Sequence, residues 1–239
     1  MKIFHYLIAV LFLGTACTAQ QINSTLGTVL NGGLTEGDVA GGLKEALRIG
    51  ANQGAEELSQ AGGYFDDLAY RILLPEEVRK VTDRLQGVPG FSQLESTILR
   101  KINQGAEDAA TRAAPIFVDA ITGMTIGDAW NILRGNDDAA TIYLRNNTEN
   151  ALTEAFRPVI EESLDKFDAN TVWRDAATAY NRIPLLEPVE VDLTRYVTGQ
   201  ALNGLFKKVA IKELDIRNNV GARTSDLLRR VFSQQDSQN

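Results

Sequence analysis

Two side chains decide most of the chemistry open to this 239-residue chain, and both lie at its start. His5 and Cys17 are the only histidine and cysteine. They fall within residues 1–19, which read as an export signal: Lys2, an apolar run from Ile3 to Leu13, and a small-residue exit. Gly14, Thr15 and Ala16 before Cys17 resemble a bacterial lipoprotein box, in which cleavage precedes the cysteine and lipid is attached to it. The alternative cut follows Ala19 and discards Cys17 with the signal. Either route leaves the mature chain without a free thiol or an imidazole. Ser-His-Asp triads, Cys-His pairs, His-ligated zinc, haem on histidine and disulfides are therefore excluded on inventory. Carboxylate chemistry, Ser-Lys pairs, tyrosine and oxygen-ligated metals remain.

The surviving candidates are few. Glu56-Glu57 and Glu161-Glu162 bring carboxylates together in sequence, but neighbours on a helix diverge by about 100°, so neither is identified as an acid/base pair. Asn136-Asp137-Asp138 is the densest acidic turn. It lacks the Asp-x-Asp-x-Asp-Gly spacing of a helix-loop-helix calcium site, and no metal or cofactor is expected. Tyr143, Trp173 and Tyr180, with Trp130, are core or interface aromatics that can also line a ligand pocket. The densest charged constellation is Glu213, Asp215, Arg217 and Arg223, with Arg229 and Arg230 downstream. Arginine forks suit carboxylate or phosphate, which makes Arg217 and Arg223 candidates for binding an anion or a partner. The structural alternative is that the two arginines hold a helix connection through nearby carboxylates and helix-end carbonyls.

These residues need a scaffold, and its outline follows from composition and period. About 220 residues after the signal suit one domain with a sizeable core. The net charge of −7 and the lack of a dense Lys/Arg block argue against nucleic acid as a partner. The apolar run of the signal is shorter than the roughly 18–20 residues that span a bilayer, so lipid on Cys17 is the expected membrane tether.

The apolar period is helical nearly throughout. Val39, Leu43, Ala46, Leu47, Gly50, Gly54 and Leu58 share one face of a long helix capped by Thr35. Its glycines cost about 1 kcal/mol each relative to Ala, which predicts either close helix packing or a glycine-floored groove. Pro75 opens the next helix, which ends near Gln86-Gly87 before a turn at Val88-Pro89-Gly90. Ser92 with Glu95 forms a capping-box pattern that starts the stripe Leu94, Ile98, Ile102, Ala106, Ala109, Ala113, which Pro115 must kink or restart and Gly123 ends. Thr125 with Asp128 caps a short helix that stops at Gly135. The acidic turn then caps a segment from Ala139 to Arg145. Helices follow over 147–167, bent or restarted at Pro158, over 171–182 and over 192–214. The stretch 185–191 reads as a connection rather than a strand. A terminal helix carries Leu227, Leu228, Val231 and Phe232, and 233–239 is polar enough to be a disordered tail. The expected architecture is all-α: one bundle-like domain over 20–232 with Gly/Ala-rich helix packing and little or no strand.

The order of segments carries a resemblance. Gly-Leu-Lys-Glu-Ala-Leu at 42–47, Leu-Pro at 74–75, Met-Thr-x-x-Asp-Ala at 124–129, Ala-Ala-Thr-x-Tyr at 139–143, Phe-x-Pro-x-Ile at 156–160, Ala-Leu-x-Gly-Leu-Phe at 201–206 and Ile-Arg at 216–217 together resemble an exported bacterial family catalogued as domain of unknown function 4197. The resemblance covers roughly Leu34 to Phe232 and implies a helical fold without implying an activity. Between Ile216-Arg217 and the Ala-Arg-Thr at 222–224 the chain has no proline where the family usually carries one. Two functional expectations stand side by side. The favoured one is a non-enzymatic protein of the cell envelope, exported to the periplasm and anchored there if Cys17 is lipidated, that binds a partner protein or an apolar small ligand between helices. The alternative is a cell-wall or glycan hydrolase working with carboxylates alone.

Overall fold

The computed structural model describes residues 34–76, 79, 80, 83, 94–166, 168–182, 184, 188 and 192–236. Among them the order is α1 (Glu36–Ser59), α2 (Leu94–Ala110), α3 (Ala113–Thr122), α4 (Ile126–Leu133), α5 (Ala139–Asp165), α6 (Ala169–Asn181), α7 (Leu193–Asn218), a 3-10 turn at Val220–Ala222 and α8 (Asp226–Asp236), with no strand. The all-α architecture predicted by periodicity is the one observed. The signal with Cys17, the expected turn at Val88-Pro89-Gly90 and Ser92 of the expected capping box lie outside the described residues.

Local chemistry starts and stops the helices where the sequence places punctuation. Thr35 and Asp38 form a reciprocal capping box at α1: the Asp38 N–H donates to Thr35 Oγ1 at 3.1 Å, and the Thr35 N–H donates to the Asp38 carboxylate at 2.9 Å. Thr125 and Asp128 repeat the device at α4. These hydrogen bonds, from the Thr backbone first and the hydroxyl second, hold both aspartates below the usual carboxylate range. The α2 stripe breaks at Thr111-Arg112 and restarts as α3, so Pro115 occupies the first turn of a new helix, where its missing N–H costs little.

Three boundaries differ from the sequence expectation. Ala139–Asp165 is one helix running through Pro158, because its buried face, Leu144, Thr148, Leu152, Phe156 and Ile160, continues unbroken across the proline. α7 reaches Asn218 rather than 214, since Ile216 and Arg217 are buried and extend its packed face. α8 continues to Asp236, into the stretch that composition assigns to a disordered tail. Its apolar face ends at Phe232, and Ser233 Oγ donates back to the Arg230 carbonyl in the turn that carries the helix onward.

α1, α5 and α7 form the centre, with α2 and α3 against α1 and α5, α4 across α1, and α8 against the first half of α1. Phe117, Phe156 and Phe206 are fully buried, and the Phe117 and Phe206 rings meet edge to face at 5.9 Å. The α1 glycines belong to this packing rather than to an open groove. Gly50 lies against Lys212 and Ile216, and Gly54 against Lys208 and Val209. The closest approach is at Gly42, where an added Cβ would stand 2.7 Å from the Val231 side chain of α8.

The segment after α1 has no regular structure of its own and is pinned by two polar residues of α2. Asn103 clamps Ile72, accepting from its N–H and donating to its carbonyl, both at 2.8 Å. Glu107 accepts from the Tyr64 and Phe65 N–H groups. Tyr64 is wholly buried, its hydroxyl donating to the Ala201 carbonyl at 2.7 Å, and burial together with the Glu107 charge raises its pKa.

Candidate functional sites

Charge is concentrated in two places of opposite character. The first is the Glu213, Arg217 and Arg223 cluster. Glu213 is buried on α7 and caps α5: its carboxylate accepts from the Ala140 N–H at 2.9 Å and from the Thr141 N–H and hydroxyl at 2.8 Å. Asp138, at the N-cap position that the sequence reading favours, makes no side-chain cap bond. A carboxylate brought from 72 residues away performs that role.

Arg217, one turn further along α7, donates from Nε and Nη2 to Glu213 at 3.0 and 2.8 Å and from Nη2 to the Ile132 carbonyl at 2.9 Å, at the end of α4. Arg223 is 1% exposed and turns back on α7, donating to the Ile216 and Arg217 carbonyls at 3.0 and 2.7 Å. One chain of charge-assisted bonds thus joins the start of α5, the end of α4 and the end of α7. This is the structural alternative raised for the two arginines. The cavity beside the cluster, between Leu43, Gly50, Val209, Ile216 and Phe232, holds about 20 Å3, room for about one water.

The second place is an open cleft of about 410 Å3 between α5, α6 and the start of α7. Its chemistry follows from helical period. Asn170, Arg174 and Thr178 recur every four residues on α6, with Asn181 three further on, so a polar row faces the cleft while Trp173 and Ala177 turn inward. Arg157 and Glu161 present the same spacing on α5. Asp192 closes one end, already occupied as the cap of α7, where it accepts from the Arg195 N–H at 2.9 Å, and lying 3.8 Å from Arg157. Asn170 bridges Asp165 and Thr194. Asp168, at the corner between α5 and α6, has a φ of 53°, a left-handed conformation that aspartate tolerates better than most residues.

The predicted aromatics separate. Trp173 is 3% exposed and forms part of the cleft floor. Tyr143 is half-buried near α4, and burial, with Asp128 as a lesser cause, raises its pKa. Trp130 carries the Arg134 guanidinium over its ring at 4.6 Å. The Tyr180 side chain lies outside the described residues. Of the carboxylate pairs, Glu57 is held by Lys208 and Lys212; burial raises its pKa, and the two lysine hydrogen bonds outweigh burial and lower it. Glu162 pairs with Lys166, and Glu161 alone lines the cleft. Sequence reasoning did not single out Arg157, Asn170, Arg174 or Thr178. The four-residue recurrence on α6 is the signal that marks them. Among the described residues there is no group of acidic side chains able to hold a metal ion and no helix long and apolar enough to cross a membrane.

The family model for a protein of unknown function, DUF4197, matches residues 33–233. The chain belongs to the DUF4197 family. No curated protein and no solved structure matches it. The DUF4197 match spans every helix described above except the last three residues of α8, so the buried cluster and the cleft both lie inside the family domain.

Proposed function

We propose that this DUF4197 protein is a non-catalytic binding module of the bacterial cell envelope, exported by residues 1–19, tethered through lipid on Cys17, and binding its ligand or partner in the cleft between α5, α6 and α7. The carrying observation is the cleft: about 410 Å3, in the range of ligand sites, with two arginines, two carboxylates and amide side chains on its walls and Trp173 and Ala177 in its floor. The small cavity between α1, α7 and α8 offers no comparable room for an apolar guest. A polar ligand, or a polar segment of a partner, suits the larger site.

The carboxylate hydrolase finds less support. It requires one acid held protonated and a second free carboxylate. Asp192 is committed to a helix cap and Arg157, and Asp38, Glu57 and Asp128 are all shifted downward, away from the range of a general acid.

Native mass spectrometry of protein extracted from membranes tests the proposal. The expected spectrum shows a lipid adduct on Cys17 and a bound molecule that disappears in Thr178→Trp, which fills the cleft from an exposed wall. A mature terminus at Gln20 contradicts the tether. A bound molecule retained in Thr178→Trp contradicts the cleft.

A further inference from the structure

Resting on the reading of the cleft as a binding site, we infer that the cleft recognises a dipolar ligand, one that carries a carboxylate and an ammonium group, such as a short peptide with free termini. The cleft holds two arginines and two carboxylates, so its lining favours neither a strongly anionic nor a strongly cationic guest. Within that balance the charges are not equivalent. Arg157 and Asp192 face each other at 3.8 Å, and Asp192 also caps α7. Glu161 and Arg174 lie in the same cleft on different helices and have no hydrogen-bond or ion-pair partner among the described residues.

Opposite charges that share a cleft normally close on each other, because attraction over a partly apolar floor is stronger than in open water. Here each is left open. The Arg174 guanidinium presents a planar fork of donors suited to a carboxylate, and the Glu161 carboxylate presents only acceptors, suited to an ammonium. Asn170 and Thr178 flank Arg174 one turn to either side on the α6 row and line the same cleft, where they can meet the amide groups of a short peptide.

The probe is triglycine, titrated calorimetrically into the folded protein beside N-acetyl-triglycine amide, which has the same backbone and no charges. The expected result is binding of triglycine with at least tenfold preference over the capped peptide, at least tenfold weakening in Glu161→Gln and in Arg174→Ala, and partial recovery in the double exchange Glu161→Arg with Arg174→Glu. Circular dichroism of each variant should match the parent, since both side chains are exposed. Equal binding of the two peptides, or single variants that bind like the parent, overturns the dipolar inference and leaves the cleft as a site. Triglycine binding that survives Thr178→Trp overturns the cleft as well. Failure of triglycine to bind at millimolar concentration overturns the inference alone, provided Thr178→Trp still displaces the molecule carried from membranes.

Discussion

The Glu213–Arg217–Arg223 cluster and the cleft between α5, α6 and α7 are built from the same residue types and serve opposite ends. In the cluster, three charged side chains 8%, 5% and 1% exposed bond to one another or to the open ends of three helices. In the cleft, Glu161 and Arg174 are exposed and have no hydrogen-bond or ion-pair partner among the described residues. Burial decides the difference. A charge removed from water must be fully hydrogen-bonded to persist, whereas a solvated charge is free to wait for a ligand. Arginine in a sequence therefore indicates a binding site only when its donors are left over.

The largest expected effect lies in the cluster. Glu213→Ala should cost about 3–5 kcal/mol, because it strands Arg217 in the interior and uncaps α5 together; urea unfolding at neutral pH measures it. Arg217→Ala and Arg223→Ala should each cost roughly 1–3 kcal/mol and lower the melting temperature by several degrees. Glu161→Gln and Arg174→Ala, by contrast, should stay within about 0.5 kcal/mol of the parent. If the cleft variants destabilise as much as the cluster variants, the distinction between the two regions fails.

Helix contacts sharpen the same comparison at smaller magnitude. At Gly42 a methyl group would meet Val231 at 2.7 Å, whereas at Gly54 the nearest atom would be at 3.5 Å. Gly42→Ala should lower the melting temperature, while Gly54→Ala should leave it unchanged or raise it, by up to about 1 kcal/mol of helix propensity. Replacing Gly50 or Gly54 by Leu should instead overpack the α1 and α7 contact, costing roughly 1–3 kcal/mol. A raised melting temperature in both leucine variants would refute close packing.

The smallest effects are those of pH. Asp38, Asp128 and Glu57 have depressed pKa values in the fold, so their contribution is present above the unfolded carboxylate range and is lost as pH falls below about 4. Tyr64 has a raised pKa, and its contribution is complete below about pH 10 and declines above it, where the unfolded chain ionises first. Melting temperatures at pH 3 and pH 11 should both lie below that at pH 7. A flat profile on the alkaline side would contradict the buried, neutral Tyr64.

Helix positions were legible in the sequence wherever the signal is local. Thr35 with Asp38 and Thr125 with Asp128 announce their helices within four residues, and the α1 stripe names its buried face. What escaped is long-range. Nothing near Ala139 indicates that its cap is Glu213, and the acidic turn beside it offers a plausible local substitute that the fold does not use. Asn103 and Glu107 look like ordinary polar positions on α2 until the segment after α1 is laid against them. The arginines of the constellation could be named from the sequence, but whether the donors of Arg217 are free depends on carbonyls 84 and 85 residues away.

Thermal unfolding of Arg217→Ala and Arg174→Ala, each with and without saturating triglycine, tests the central division most directly, because a ligand that binds only the folded state raises its melting temperature. The account predicts that Arg217→Ala starts several degrees below the parent and keeps the triglycine shift, while Arg174→Ala starts at the parent value and loses it. An Arg217→Ala protein that melts like the parent, or an Arg174→Ala protein that retains the shift, would contradict it.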